Sequence, residues 1–191
     1  MFADCAWLNE PAEWSTRDED LTVATDAKTD FWRETHYGFT RDSGHFFGRE
    51  AVGDFTAQIR VDAEFTDLYD QAGLMIRIGA ERWMKAGVEL SDGQALFSSV
   101  LTVGRSDWAL GAHAEPRSPF WLRATVARGV LRLQVSRDGR HWPLLRLAPF
   151  PAAPRYLVGP MCCTPERAGL HVRFSEFGVG PAALKQLHDL T

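Results

Sequence analysis

The amino-acid sequence predicts an all-β chain folded as a two-sheet antiparallel sandwich, on three observations. Turn signals recur at short intervals, at Asp42-Ser43-Gly44, Val52-Gly53-Asp54, Ser91-Asp92-Gly93, Arg128-Gly129 and Asp138-Gly139. The runs between them are rich in Val, Ile, Leu, Phe and Trp and alternate with a period of two. The 191 residues are 45% hydrophobic, which suits one substantial core and a single domain over 1–191.

Phe55 to Phe65 sets Phe55, Ala57, Ile59, Val61 and Ala63 on one side and Thr56, Gln58, Arg60, Asp62 and Glu64 on the other, the pattern of a half-buried strand. Tyr69 to Val103 reads as two strands of one sheet. There Leu74, Ile76 and Ile78, then Met84, Ala86, Val88 and Leu90, point to the core, while Tyr69, Gln71 and Arg77, then Trp83, Lys85 and Glu89, face away from it. Trp121 to Ala127 and Val130 to Ser136 form a hairpin across Arg128-Gly129, and Asp138-Gly139 turns the chain back toward Trp142 and Leu144. The stretch Ser136 to Trp142 is similar to the Asp-box hairpin of sialidases, one residue short between Asp and Gly, and its expected role is structural. Pro149 to Pro154 is a loop and Leu170 to Phe177 a closing strand. Pro181 to Leu187 is expected to form a short C-terminal helix, with Pro in its first turn and Leu184, Leu187 and Leu190 at helical spacing.

Composition narrows the function. The net charge of -4, with Lys and Arg scattered, argues against a nucleic-acid partner. No apolar run approaches the roughly 20 residues that span a bilayer, and Asp4 stands where a secretory signal would be basic, so no membrane partner and a cytoplasmic location are expected. Of three cysteines, Cys162 and Cys163 are adjacent and Cys5 is remote, which is no disulfide framework; alternation places one of the pair in the core and one outside. His36 and His45 flank the Phe39 segment without a fixed third ligand, and Asp30, Asp42 and Asp54 are oxygen donors by composition alone, so neither metal nor cofactor is expected. No G-x-S-x-G elbow occurs.

The outward residues of the Tyr69–Val103 segment carry the functional expectation. A merely solvated sheet face usually shows Thr, Ser, Lys and Glu rather than Trp, Tyr and Gln together. The candidate ligand-binding set is therefore Tyr69, Gln71, Arg77, Lys85, Glu89, Ser98, Thr102 and Trp108. Lys85 and Arg77 would hold hydroxyl or acidic oxygens, Gln71 and Glu89 would fix orientation, and Trp108, in a loop over 104–118, would stack on the ligand. Trp32, Tyr37 and Trp83 are further stacking candidates. Lys85 and Glu89 lie about 13 Å apart along an extended strand, so each needs a partner from elsewhere, either a ligand or a cross-strand lattice with Arg77 opposite Glu89 or Lys85 opposite an acid. Glycoside hydrolysis needs two carboxyl groups about 5–9.5 Å apart. Glu81 and Glu89 are more than about 25 Å apart on one strand, and Asp70 faces the other side from Gln71, so no catalytic pair is expected.

Thr29-Asp30-Phe31-Trp32-Arg33, Tyr37-Gly38-Phe39, Asp42-Ser43-Gly44-His45-Phe46, Gly53-Asp54-Phe55, Leu68 to Met75, Trp83 to Glu89 and Ser106-Asp107-Trp108, with Gly159 to Cys162 and Val172-Arg173-Phe174, form a set of blocks running from about Trp7 to Pro181. They resemble a family of unknown function that carries the name of a yeast regulator of enolase, within the concanavalin A-like lectin/glucanase superfamily. The resemblance implies a curved jelly-roll sandwich whose concave sheet is the place to look for a site. The glucanases of that superfamily supply catalytic acids in E-x-D-x-x-E or E-x-D-x-E, and this chain has neither. The expected function is thus non-catalytic binding of a carbohydrate or related polyol or anionic small molecule. A regulatory protein-interaction domain linked to central metabolism is the alternative, and a glycosidase-like or isomerase-like enzyme using Glu89 and Lys85 the second.

Overall fold

The computed structural model describes all 191 residues as strands and their connections. In chain order the strands are β1 (Ala6–Leu8), β2 (Glu13–Arg17), β3 (Asp20–Ala24), β4 (Phe31–Arg33), β5 (Thr40–Asp42), β6 (His45–Ala51), β7 (Phe55–Ala63) and β8 (Gln71–Gly79). Then follow β9 (Arg82–Ser91), β10 (Gln94–Val103), β11 (Arg105–His113), β12 (Phe120–Ala127), β13 (Val130–Ser136), β14 (Leu144–Pro149), β15 (Tyr156–Cys163) and β16 (His171–Pro181). One seven-stranded antiparallel sheet has the order β1-β6-β15-β8-β9-β10-β11, the other β14-β13-β12-β7-β16-β3-β2.

Period-two alternation explains the sandwich. Along β7 every odd residue is buried and every even one half-exposed, as a sheet with one wet face requires. Those odd residues meet Leu74, Ile76, Met84, Ala86 and Val88 of the first sheet in a 35-residue core. Strands β8 and β9 differ: from Gln71 to Arg77 and from Trp83 to Glu89 no residue is exposed on either face. Their outward side is covered by the β4–β5 hairpin, which closes a second, eight-residue apolar cluster containing Phe31, Trp32, Phe46, Met75, Trp83, Val100, Met161 and Cys163. Full burial of Phe31 and Trp83 stabilises that cover by about 1.5–3 kcal/mol each.

Four expectations are corrected. The Tyr69–Val103 segment supplies three strands, because Ser91-Asp92-Gly93 turns β9 into β10, and Tyr69 itself precedes β8 with a φ of 62°. Residues 105–113 are a strand, so Trp108 sits on β11 rather than in a loop over 104–118, and the outer face is capped by β4–β5. Cys162 and Cys163 do face opposite sides, but both are buried, one in each cluster. No C-terminal helix forms. A segment of so few residues nucleates poorly, and its backbone oxygens are claimed by a guanidinium group on the second sheet, Arg132 donating to Ala183 and Lys185, while Arg123 holds Thr191 beyond it.

Candidate functional site

Register assembles the site's floor. Across β8 and β9 the outward pairs are Gln71 with Glu89, Gly73 with Gly87, Met75 with Lys85 and Arg77 with Trp83; across β9 and β10 they continue as Lys85 with Val100, Gly87 with Ser98 and Trp83 with Thr102. The glycine pair lets the two strands approach closely. A Cβ on Gly73 would sit 1.8 Å from the Ala86 carbonyl oxygen and one on Gly87 1.9 Å from that of Ala72. The gap left by the missing side chains separates Lys85 from Glu89.

Above this floor lies a cavity of about 180 Å³. Asp30, Gln71, Lys85, Glu89 and Glu166 supply its polar lining, and Trp32, Tyr37, Phe39, Tyr69, Val100, Trp108 and Pro165 the rest. Ligand pockets for drug-sized molecules run to about 300–1,000 Å³, so this one suits a single small unit rather than an oligomer.

Charge is tightly organised. The Lys85 ammonium donates to Asp30 Oδ1 at 3.0 Å, the side chains being 4% and 16% exposed. Burial alone would lower the Lys85 pKa; Asp30, Cys163 and Glu89 outweigh it, and the group is held above the ordinary lysine value. Glu89 Oε2 accepts from the Ser98 hydroxyl at 2.7 Å and the Trp108 indole N–H at 3.1 Å. Burial pushes the Glu89 carboxyl up, against the lowering influence of Lys85 and those two donors. The Tyr69 hydroxyl pairs with that of Tyr37 at 3.3 Å, and this hydrogen bond, with burial next, pushes its pKa up to about 12. Burial raises the Cys163 thiol well out of the reactive range.

Of the eight residues expected from the sequence, Tyr69, Gln71, Lys85, Glu89 and Trp108 share this cavity. Ser98 stands behind Glu89 and orients it. Arg77 is elsewhere: both of its terminal nitrogens donate to the Asp42 carboxylate at 2.7 Å, tying β5 to the sheet, so the lattice partner is Asp42 and not Glu89. Thr102 is fully buried against Ser106, whose hydroxyl in turn accepts from the Arg33 backbone N–H at 2.9 Å. These two anchor the cover. Trp83 packs near Phe31 and donates to Ala80. His45 is held by Asn9 and Asp26, while His36 lies against Tyr37, so the two do not form a common ligand set.

Asp30 and Glu166 were not singled out as site residues from the sequence. The signal for Asp30 was indirect, since Lys85 had to find an acid and none on its own strand was within reach, and nothing in the sequence pattern pointed to Glu166. A larger groove of about 610 Å³ crosses the outer face of the second sheet, near Glu13, Thr22, Asp62 and Arg173. It is shallow, and its charges pair at the surface, as Arg173 with Asp20 and Arg60 with Asp62 do. Chemically, the capped cavity offers a carboxyl raised by burial and, across the glycine gap, a fixed ammonium, with an amide from the neighbouring strand and aromatic walls. Such groups hold hydroxyls, and they are also what a general acid–base site would use.

Comparison with known proteins places the chain. A family model described as "Protein of unknown function (DUF1349)" matches residues 7–182. "Regulation of enolase protein 1" of Saccharomyces cerevisiae is 57% identical over 185 residues, covering 97% of this chain and 93% of the relative. The crystal structure of a functionally unknown protein from Saccharomyces cerevisiae superposes with a TM-score of 0.93 at 56% identity, over 96% of this chain and 99% of that one. The carbohydrate binding module CBM66 from Bacillus subtilis superposes with a TM-score of 0.57 at 12% identity, over 94% of this chain and 98% of the module, which shows a shared jelly-roll architecture and no more.

Proposed function

The chain belongs to the DUF1349 family of proteins of unknown function, and from that premise we propose that it is a non-catalytic binding protein whose capped cavity takes one small hydroxylated molecule, a carbohydrate or related polyol. The observation that carries this reading is the placement of Gln71, Lys85 and Glu89 on the floor of a cavity walled by Trp32, Tyr37, Tyr69 and Trp108. Amide, ammonium and carboxylate edges serve hydroxyls while rings cover the apolar faces of a sugar. An anionic ligand fits less well, since Arg77 is committed to Asp42 and Lys85 to Asp30. Thermal-shift and calorimetric screening of monosaccharides, polyols and sugar phosphates tests it. At least one neutral hydroxylated compound should raise the melting temperature of the wild type and fail to do so for Gln71→Ala and Glu89→Gln. If none does, the reading is wrong.

The name of the yeast relative supports a second reading, a regulatory domain that acts on a protein of central metabolism. Purified enolase mixed with this chain tests it directly. A complex that forms equally well with wild type and Glu89→Gln would put regulation on another surface, whereas no complex would remove the reading.

A further inference from the structure

The aromatic residues over the cavity form a closed ring. Tyr69 and Trp108 meet with centroids 6.5 Å apart at 74°, Trp108 and Trp32 at 6.4 Å and 89°, and Trp32 and Tyr37 at 5.6 Å and 71°. The circuit closes through the Tyr37–Tyr69 hydroxyl pair. Each polar tip is pinned: the Trp108 N–H donates to Glu89, the Trp32 N–H to the Thr35 carbonyl, and the two tyrosines hold one another. A sugar ring needs one flat platform, whereas neighbouring rings set near right angles can turn more than one π-face toward the space between them, which is the arrangement that attracts a cation. Of the protein's own cation–π contacts, Arg41 lies over Phe39, which also lines the cavity, while Arg60 on Trp121, Arg123 on Trp142 and Arg137 on Phe97 lie elsewhere, and none of them uses the four rings of the circuit.

Local charge points the same way. Three acids, Asp30, Glu89 and Glu166, and one base, Lys85, line the cavity. The base is matched by Asp30, which leaves the carboxyl groups of Glu89 and Glu166 at the cavity without an ion-pair partner. Glu89 spends Oε2 on Ser98 and Trp108, while its Oε1 accepts no hydrogen bond from the protein.

We propose that the cavity selects a small organic ammonium compound bearing hydroxyl groups, its cationic centre enclosed by Trp32, Tyr37, Tyr69 and Trp108 and its hydroxyls met by Gln71, Lys85 and Glu89. This rests on reading the cavity as a ligand site and names the class of ligand. Calorimetry on the full chain with choline and with 3,3-dimethyl-1-butanol, which has the same shape but no charge, isolates the cationic term. Glucosamine and glucose make the same comparison on a sugar frame. Choline should bind about tenfold or more tightly than the neutral isostere, a difference that Trp108→Leu and Glu89→Gln each erase. Tyr37 is 45% exposed, so Tyr37→Leu keeps the fold and should weaken choline alone. Equal affinity for charged and neutral members of both pairs, or no response to choline with a response to glucose, overturns the cation proposal while the binding reading stands. Silence from all four compounds overturns the cation proposal as well, and the polyol panel above then decides the binding reading separately.

Discussion

Asp30→Asn isolates the interaction on which both the cover and the cavity depend. Lys85 is 4% exposed in its side chain and its ammonium meets a single carboxylate, Asp30, at 3.0 Å. Removing one partner of a buried pair costs about 3–5 kcal/mol, because the remaining charge stays desolvated. The lower end applies, since the asparagine oxygen can still accept from Lys85 and Asp30 is itself 16% exposed. A loss of about 3 kcal/mol, with a urea m-value of about 2 kcal/mol/M, moves the unfolding midpoint down by about 1.5 M. Lys85→Met removes the costly charge itself, so it should destabilise less, and it should restore much of the loss when combined with Asp30→Asn. The pH dependence reverses sign. In the wild type the Lys85 pKa is raised, so its contribution is fully present below the unfolded lysine value near 10.4 and is lost as pH rises through the folded value. Without Asp30, burial dominates and the folded pKa falls below the unfolded one, so stability of the variant should climb with pH over that lower window. Urea titrations at neutral and alkaline pH measure both effects. A variant within about 0.5 kcal/mol of wild type with the same alkaline slope would refute the assignment of this pair as a buried, mutually dependent one.

Gly87→Ala should cost about 3 kcal/mol or more in urea unfolding, since its Cβ would lie 1.9 Å from the Ala72 carbonyl oxygen and 2.8 Å from the Gly73 Cα, and both are backbone atoms. A loss under about 1 kcal/mol would mean that the strands do not approach as described. In the Asp-box-like turn, the backbone N–H groups of His141 and Arg140, then the Ser136 hydroxyl, hold the Asp138 pKa down to about 2. Its contribution is therefore present above the unfolded aspartate value and disappears as pH falls through about 2. Carboxyl titration by NMR should show that depressed midpoint, moving upward in Ser136→Ala by less than the backbone donors contribute; an ordinary aspartate midpoint in the wild type would contradict the turn geometry.

What the sequence discloses depends on the distance over which each feature is encoded. Alternation is local, so the β7 faces, the β12–β13 hairpin and the common side of Gln71, Lys85 and Glu89 follow from parity alone. The family blocks anticipated the jelly-roll sandwich, and the chain's membership and its structural neighbours bear that out. The cover is encoded at long range: Asp30 is 55 residues from Lys85 and Asp42 is 35 from Arg77, and periodicity cannot pair positions that far apart. The C-terminal leucines show the same limit, since helical spacing yields once Arg132 claims the segment's backbone oxygens.

One clue to the cover was nonetheless present in the strands themselves. Met75 and Trp83 alternate with the polar site residues on the outward side of β8 and β9, and a strand with large apolar groups on both faces must be buried on both. Taken with Lys85, a cation that no acid on its own strand could reach, those residues require a covering element that brings its own carboxylate. The Phe31-bearing hairpin meets both demands, supplying rings to Met75 and Trp83 and Asp30 to Lys85. The same element thus creates the second core and the cavity's closure, so a variant that loosens β4–β5 should lose ligand selectivity in step with stability rather than independently of it.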